Sequence, residues 1–140
     1  MLKHKLGIVR AVDGDGELGG RVEIYHHGEW GTVCDNDWDM KEATIVCRQL
    51  GFWDALEAKK GSFFGESDLP IVMNRVACKG TEGRLADCPF VCSSSPQCNS
   101  TNNAGVICKP SKGTLLFYAF ACSMVSMGQL QALSHLADHT

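Results

Sequence analysis

Apolar and polar positions alternate in the first part of the chain and then change to a helical period. Residues 7–11 (GIVRA) predict a first strand, and Asp13, Gly14, Asp15 and Gly16 a turn after it. Residues 21–25 (RVEIY) alternate, with Val22 and Ile24 on one face. Residues 30–34 (WGTVC) return as the partner strand of a hairpin whose turn holds His26, His27, Gly28 and Glu29. Neighbouring residues at a strand end point to opposite faces. The His26–His27 pair therefore reads as exposed loop rather than as a two-point metal site.

The period changes near residue 40. Ala43, Val46, Cys47 and Leu50 recur at helical spacing and form one apolar stripe. Asp39 is a natural N-cap, and Glu42 three residues on can reach back as a variant capping box. Trp38 before the cap can staple onto Ala43, and Gly51 supplies the stop. Cys47 lies on the stripe, so its sulfur is expected inside. Residues 52–69 read as a long polar connection containing glycine. Residues 69–73 predict a short strand that Pro70 places at an edge. Residues 81–87 predict a short helical turn, and residues 104–108 (AGVIC) a closing strand. The elements add up to an α+β domain with a small core around one helix.

A length of 140 residues suits one domain. Lys and Arg number 13 against 16 Asp and Glu, a formal charge of −3, which argues against a nucleic-acid binder. The eight cysteines change the picture most; they stand at 34, 47, 78, 88, 92, 98, 108 and 122. A zinc site usually shows C-x2-C pairs, and none is present. Cys88, Cys92, Cys98 and Cys108 are dense enough to hold zinc, but disulfides are the better reading and imply an oxidising compartment. Spacing alone leaves on the order of a hundred pairings open.

The opening MLKHKLGIVR has basic residues but no apolar core of a signal peptide, so the chain reads as a fragment or isoform without its leader. Residues 109–113 (KPSKG) look like a boundary. The apolar stretch 114–128 that follows has 15 residues. A membrane helix needs about 20. Residues 110–140 are thus expected to be a tail, apolar then polar, outside the domain, with a membrane tether as the weaker alternative. No nucleophile elbow, zinc-protease helix or phosphate loop occurs. The Asp13–Gly16 turn lacks the glutamate that an EF-hand needs, since Ile24 stands there.

Several motifs together resemble the scavenger receptor cysteine-rich (SRCR) domain. They are Gly20-Arg21-Val22-Glu23, Trp30-Gly31-Thr32-Val33-Cys34-Asp35 with Trp38, and Val46-Cys47-Arg48-Gln49-Leu50-Gly51. Val76-Ala77-Cys78-Lys79-Gly80-Thr81-Glu82, Leu85, Cys88 and Ala104-Gly105-Val106-Ile107-Cys108 complete them. The resemblance covers residues 7–109. It implies a small disulfide-rich fold, a curved β-sheet of about six strands cradling one main α-helix. It also implies the pairs Cys34–Cys98, Cys47–Cys108 and Cys78–Cys88. The extra pair of the eight-cysteine subgroup would fall at Leu18 and Phe52, so the chain is similar to group A. Cys92 and Cys122 remain, whether paired together, free or joined to other chains.

By the same resemblance the domain is an extracellular or cell-surface, non-catalytic module of an innate-immune or scavenger-type receptor. Its partners would be proteins or polyanionic ligands. The alternative is an accessory domain from a multidomain extracellular enzyme, lysyl oxidase-like or of the neurotrypsin type of serine protease. Family members often hold calcium through two Asp after the first cysteine and acidic residues before the closing strand. Here the corresponding residues are Asp35, Asn36, Asn102 and Asn103, with Asp37 at a variable position. Neutral amides are weaker ligands, so calcium affinity is expected to fall. Lys59, Lys60, Arg75, Lys79 and Arg84 are the candidate cations for a polyanion, against the alternative of a solvated scatter of charge. Asn99-Ser100-Thr101 is an N-glycosylation sequon.

Overall fold

Strand β2 (Gly19–His26) organises the sheet, because three other strands share its length. Residues 21–24 pair antiparallel with β1 (Val9–Val12), and residues 23–26 with β3 (Glu29–Val33). Residues 19–21 pair with β6 (Gly105–Lys109). Beyond these, β4 (Asp54–Lys59) pairs with β6, and β5 (Ile71–Met73) runs parallel to β3. The order is β4-β6-β2-β3-β5, with β1 on β2. The structure is a computed structural model, and it describes residues 7–16, 18–92 and 98–110. Cys122 and the stretch 114–128 lie outside them.

The close sharing of β2 depends on glycine. A Cβ on Gly19 would collide with the Val106 carbonyl, and one on Gly20 with the Val12 carbonyl. Between β2 and β3, His26 pairs with Glu29, leaving His27 and Gly28 as a two-residue loop. Both have left-handed backbones, with φ of 49° and 85°. This is the type I′ geometry that matches strand twist. The left-handed residue also breaks side-chain alternation. The His26 and His27 rings do not diverge as the sequence reading expects; their centroids lie 4.0 Å apart.

Helix α1 (Met40–Gln49) packs its buried Ala43, Ile45, Val46 and Cys47 into the core with Val22, Ile24, Val33, Trp38, Met73 and Val106. Its start is held by a capping box. The Asp39 carboxylate accepts the Lys41 N–H at 2.8 Å, and Glu42 Oε1 accepts the Asp39 N–H at 2.9 Å. Glu42 is buried, and its other oxygen accepts the Cys78 N–H at 2.7 Å. Burial raises the Glu42 pKa, and the Cys78 N–H opposes that rise without cancelling it. At the helix end, the Gln49 amide donates to the Gly7 carbonyl and accepts the Leu85 N–H.

Disulfides join these elements. Cys47–Cys108 fastens α1 to β6, and Cys34–Cys98 fastens the end of β3 to the segment before β6. Cys78–Cys88 closes the loop that Glu42 holds. Sequence separations are 64, 61 and 10 residues. Loop-closure entropy is worth about 4 kcal/mol for each long bridge and about 3 for the short one as upper estimates. The curled six-stranded sheet with one helix is the fold class the sequence predicts.

Two further features depart from the expectation. Residues 52–69 are not a loop throughout, because β4 forms within them against β6. Arg21 and Glu23, on the strand face away from Val22 and Ile24, are buried. Glu23 takes Arg10 at 2.7 Å and Arg21 at 3.3 Å, and Arg21 also reaches Asp13 at 2.8 Å. The Arg10 guanidinium lies 3.9 Å from the Trp30 ring centroid. Ion pairing and aromatic cover replace the water these charges would otherwise face.

Reduction should unfold the domain, since the summed bridge contribution rivals a net stability of about 5–15 kcal/mol. Circular dichroism melting with and without reductant tests this; an unchanged midpoint refutes it. Glu42→Gln removes one acceptor oxygen and should cost about 1–3 kcal/mol at low pH. A raised folded pKa means that the Glu42 contribution is full below its unfolded value near 4.5 and declines as pH rises through the folded value. The wild-type advantage in urea midpoint over Glu42→Gln should therefore shrink as pH rises above the unfolded value near 4.5.

Candidate ligand-binding surface

The loop after β3 carries the residues where the family resemblance places a cation, and its own hydrogen bonds shape it. The Asp35 N–H donates to the Asn102 carbonyl at 2.8 Å, and Asp35 Oδ2 accepts the Gly61 N–H at 2.6 Å. Trp38 anchors the far side: its N–H reaches the Asp35 carbonyl at 3.0 Å, and its indole N–H reaches the Gly105 carbonyl at 3.0 Å. Asn36 donates to the Asn74 side chain at 3.3 Å. Asn102 Oδ1 accepts the Asn99 N–H at 3.2 Å and so caps its own 3₁₀ turn (Ser100–Asn102). The Asn103 amide is buried, and neither of its polar ends has a partner.

Asp35, Asn36, Asn102 and Asn103 are therefore neighbours through the backbone, but the donor set does not fit calcium. A hard dication takes six to eight oxygens, several of them anionic. Asp35 is the single carboxylate among these four, and one of its oxygens already accepts a backbone N–H. Asn102 spends its oxygen on the turn. Asp37, next along the loop, faces the Arg75 guanidinium at 3.8 Å. Positive charge at this loop thus comes from a side chain.

The five candidate cations are not equivalent. Lys59 pairs with Glu57 at 3.3 Å and lies 4.2 Å from the Phe63 ring centroid. Arg75 pairs with Asp37, and Arg84 with Asp87 at 3.0 Å. Lys60 and Lys79 have no ion pair among the described residues. Lys59 and Lys60 lead into Gly61, which bonds Asp35, so with Arg75 they flank the Asp35–Asp37 loop. Lys79 and Arg84 belong instead to the loop closed by Cys78–Cys88. That loop wraps an acid: Glu82 accepts the Lys79 and Gly80 N–H groups at 3.0 Å. These donors, the Lys79 N–H foremost, lower its pKa.

Asn99 is exposed, and its Oδ1 accepts the Thr101 N–H at 2.9 Å and the Thr101 hydroxyl at 2.6 Å. Three exposed apolar side chains carry no signal in the sequence pattern. Trp53, Leu56 and Phe63 are 45%, 54% and 60% exposed, and they lie along β4 and the turns at its two ends. Trp53 and Leu56 belong to a stretch without clear alternation, so nothing in the pattern separates them from core residues. β4 stands at the end of the strand order, so its outer edge is open for pairing among the described residues.

Comparison with known proteins places these features in context. The family model described as "Scavenger receptor cysteine-rich domain" matches residues 12–109. Galectin-3-binding protein of Pongo abelii is 45% identical over 102 residues, 73% of this chain and 18% of that protein. The protein of the same name from Bos taurus is 46% identical over 104 residues, 74% of this chain and 19% of that protein. The chain thus spans under a fifth of the length of these relatives. Among solved structures, the third SRCR domain of murine neurotrypsin superposes with a TM-score of 0.62 at 42% identity, covering 71% of this chain and 94% of that one. The SRCR domain of mouse MARCO in its dimeric form gives 0.60 at 38% identity, covering 67% and 89%.

Millimolar calcium should leave the melting midpoint unshifted and give no saturable heat in calorimetry. The double change Asn36→Asp with Asn102→Glu restores anionic oxygens and should create calcium-dependent stabilisation. Tight calcium binding by the unaltered chain would mean that this donor set holds the ion after all.

Proposed function

Because this chain belongs to the scavenger receptor cysteine-rich domain family, we propose that it is an extracellular, non-catalytic module that recognises a protein ligand. The domain is residues 7–109, and residues 110–140 are a tail outside it. The extracellular setting is supported by the disulfide framework, which persists in oxidising compartments. Among the described residues no helix is long and apolar enough to cross a membrane.

One observation favours a protein over a polyanion. Trp53, Leu56 and Phe63 are exposed about an open edge strand, whereas Lys59, Arg75 and Arg84 each face a carboxylate of their own. Neutralised cations draw a sulfated chain weakly, and apolar side chains flanking a strand edge suit a protein surface. Relatives named galectin-3-binding protein make galectin-3 the first ligand to test. A glycan on Asn99 belongs to this reading, since the side chain is exposed. A second reading, as an accessory domain of a larger extracellular enzyme, is supported by the likeness to the neurotrypsin domain. It leaves the module non-catalytic.

Surface plasmon resonance with immobilised galectin-3, and separately heparin, tests the proposal. Galectin-3 binding should persist at about 0.5 M salt, where charge attraction is strongly screened. Trp53→Ala with Leu56→Ser should weaken it about ten-fold or more, as loss of an aromatic anchor does. Salt-sensitive heparin retention lost on changing Lys59, Lys60 and Arg75, with no galectin-3 binding, would favour the polyanion reading instead.

A further inference from the structure

We propose that His26, His27 and Cys92 form a Zn²⁺ site at the tip of the β2–β3 hairpin, with a fourth position open to water or to a donor from a bound partner. One ligand atom from each residue lies within 4.8 Å of the other two. Cys92 Sγ is 3.8 Å from His26 Nε2. A tetrahedral zinc with nitrogen at about 2.0–2.1 Å and sulfur at about 2.3 Å sets its nitrogen and sulfur ligands about 3.6 Å apart. The observed Cys92–His26 separation is nearly that edge, and the His27 ligand atom lies within 4.8 Å of both.

The backbone brings the ligands together. Left-handed His27 turns its imidazole back toward His26, which an extended residue would not do. The hairpin register that pairs His26 with Glu29 fixes both positions. Phe90 stands with its ring centroid 5.7 Å from that of His26, edge to face, and limits how the imidazole can turn. On the other segment, Val91 exchanges hydrogen bonds with Asn74 at 2.8 and 2.9 Å and so places Cys92 next to it. The three ligands thus come from two braced segments.

The chemistry selects the metal. Two imidazoles and one thiolate are borderline-soft donors that suit zinc and not calcium or magnesium. Cys92 is exposed and joins no described cysteine, so its sulfur is available to give its proton to solvent and its lone pair to the metal. Binding would tie the hairpin tip to the segment leaving the Cys78–Cys88 loop. Among the described residues the other cluster of metal-ligating side chains, Cys78, Glu82 and Cys88, has both sulfurs in a disulfide and offers no thiolate.

The test uses the full chain with its disulfides intact and needs no protein ligand, so its result is independent of the binding function proposed above. A thiol assay establishes whether Cys92 is reduced. Zn²⁺ is then titrated in competition with a chromophoric chelator. Co²⁺ is used as a spectroscopic stand-in, for which a thiolate ligand gives a charge-transfer band in the near ultraviolet. The expected result is one Zn²⁺ per chain and a band that Cys92→Ser abolishes. His26→Gln and His27→Asn should weaken zinc by more than the roughly ten- to hundred-fold that loss of a partner hydrogen-bonded to a ligand costs. Asn is chosen at position 27 because it tolerates the left-handed turn. Melting curves in the absence of metal verify that each variant is folded. No charge-transfer band, zinc affinity unchanged in Cys92→Ser, or Cys92 found joined to Cys122 in the oxidised chain would each overturn the proposal.

Discussion

The Cys47–Cys108 bond is the constraint from which the rest of the domain is arranged. It fixes the buried face of α1 against β6, and β6 in turn pairs with β2 on one side and β4 on the other. A helix of 10 residues is too short to be stable alone. Its place is set by that sulfur link, by the capping box at its start and by Gln49 at its end. Glu42 is the most economical of these devices, because one buried carboxylate serves the helix cap and the Cys78 loop together.

Much of this was legible in the sequence, for particular reasons. Residues 21–25 and 30–34 alternate and enclose a glycine turn, so β2 and β3 announce themselves. Asp39 and Glu42 mark the helix start by hydrogen-bonding chemistry that is local. β4 was not legible, because DALEAK buries fully only Ala55 and owes its strand form to β6, far along the chain. The burial of Arg21 and Glu23 was hidden for the same reason. Their partners Arg10 and Asp13 come from another strand and its turn.

The candidate site was legible as a set of residues but not as an arrangement. Asn at positions 36, 102 and 103 already shows that carboxylates are scarce. Only the structure shows that one Asp35 oxygen and the Asn102 side-chain oxygen are engaged by backbone N–H groups and that Arg75 faces Asp37. The histidine pair marks the limit of reasoning by strand period. Alternation holds for extended backbone, and a single left-handed residue reverses what it predicts.

The order of the bridges has a mechanical consequence. Cys34–Cys98 and Cys47–Cys108 interleave along the chain, and Cys78–Cys88 is nested inside both. Tension that reaches residue 34 would travel through sulfur to residue 98 and on to β6, bypassing the chain between them. Under load β1, β2 and β3, which precede Cys34, can be drawn out, but the chain between Cys34 and Cys98 cannot, even when its hydrogen bonds fail. A protease cut anywhere between Cys47 and Cys98 would leave the two halves covalently one molecule, so the bridged part of the domain tolerates both pulling and nicking.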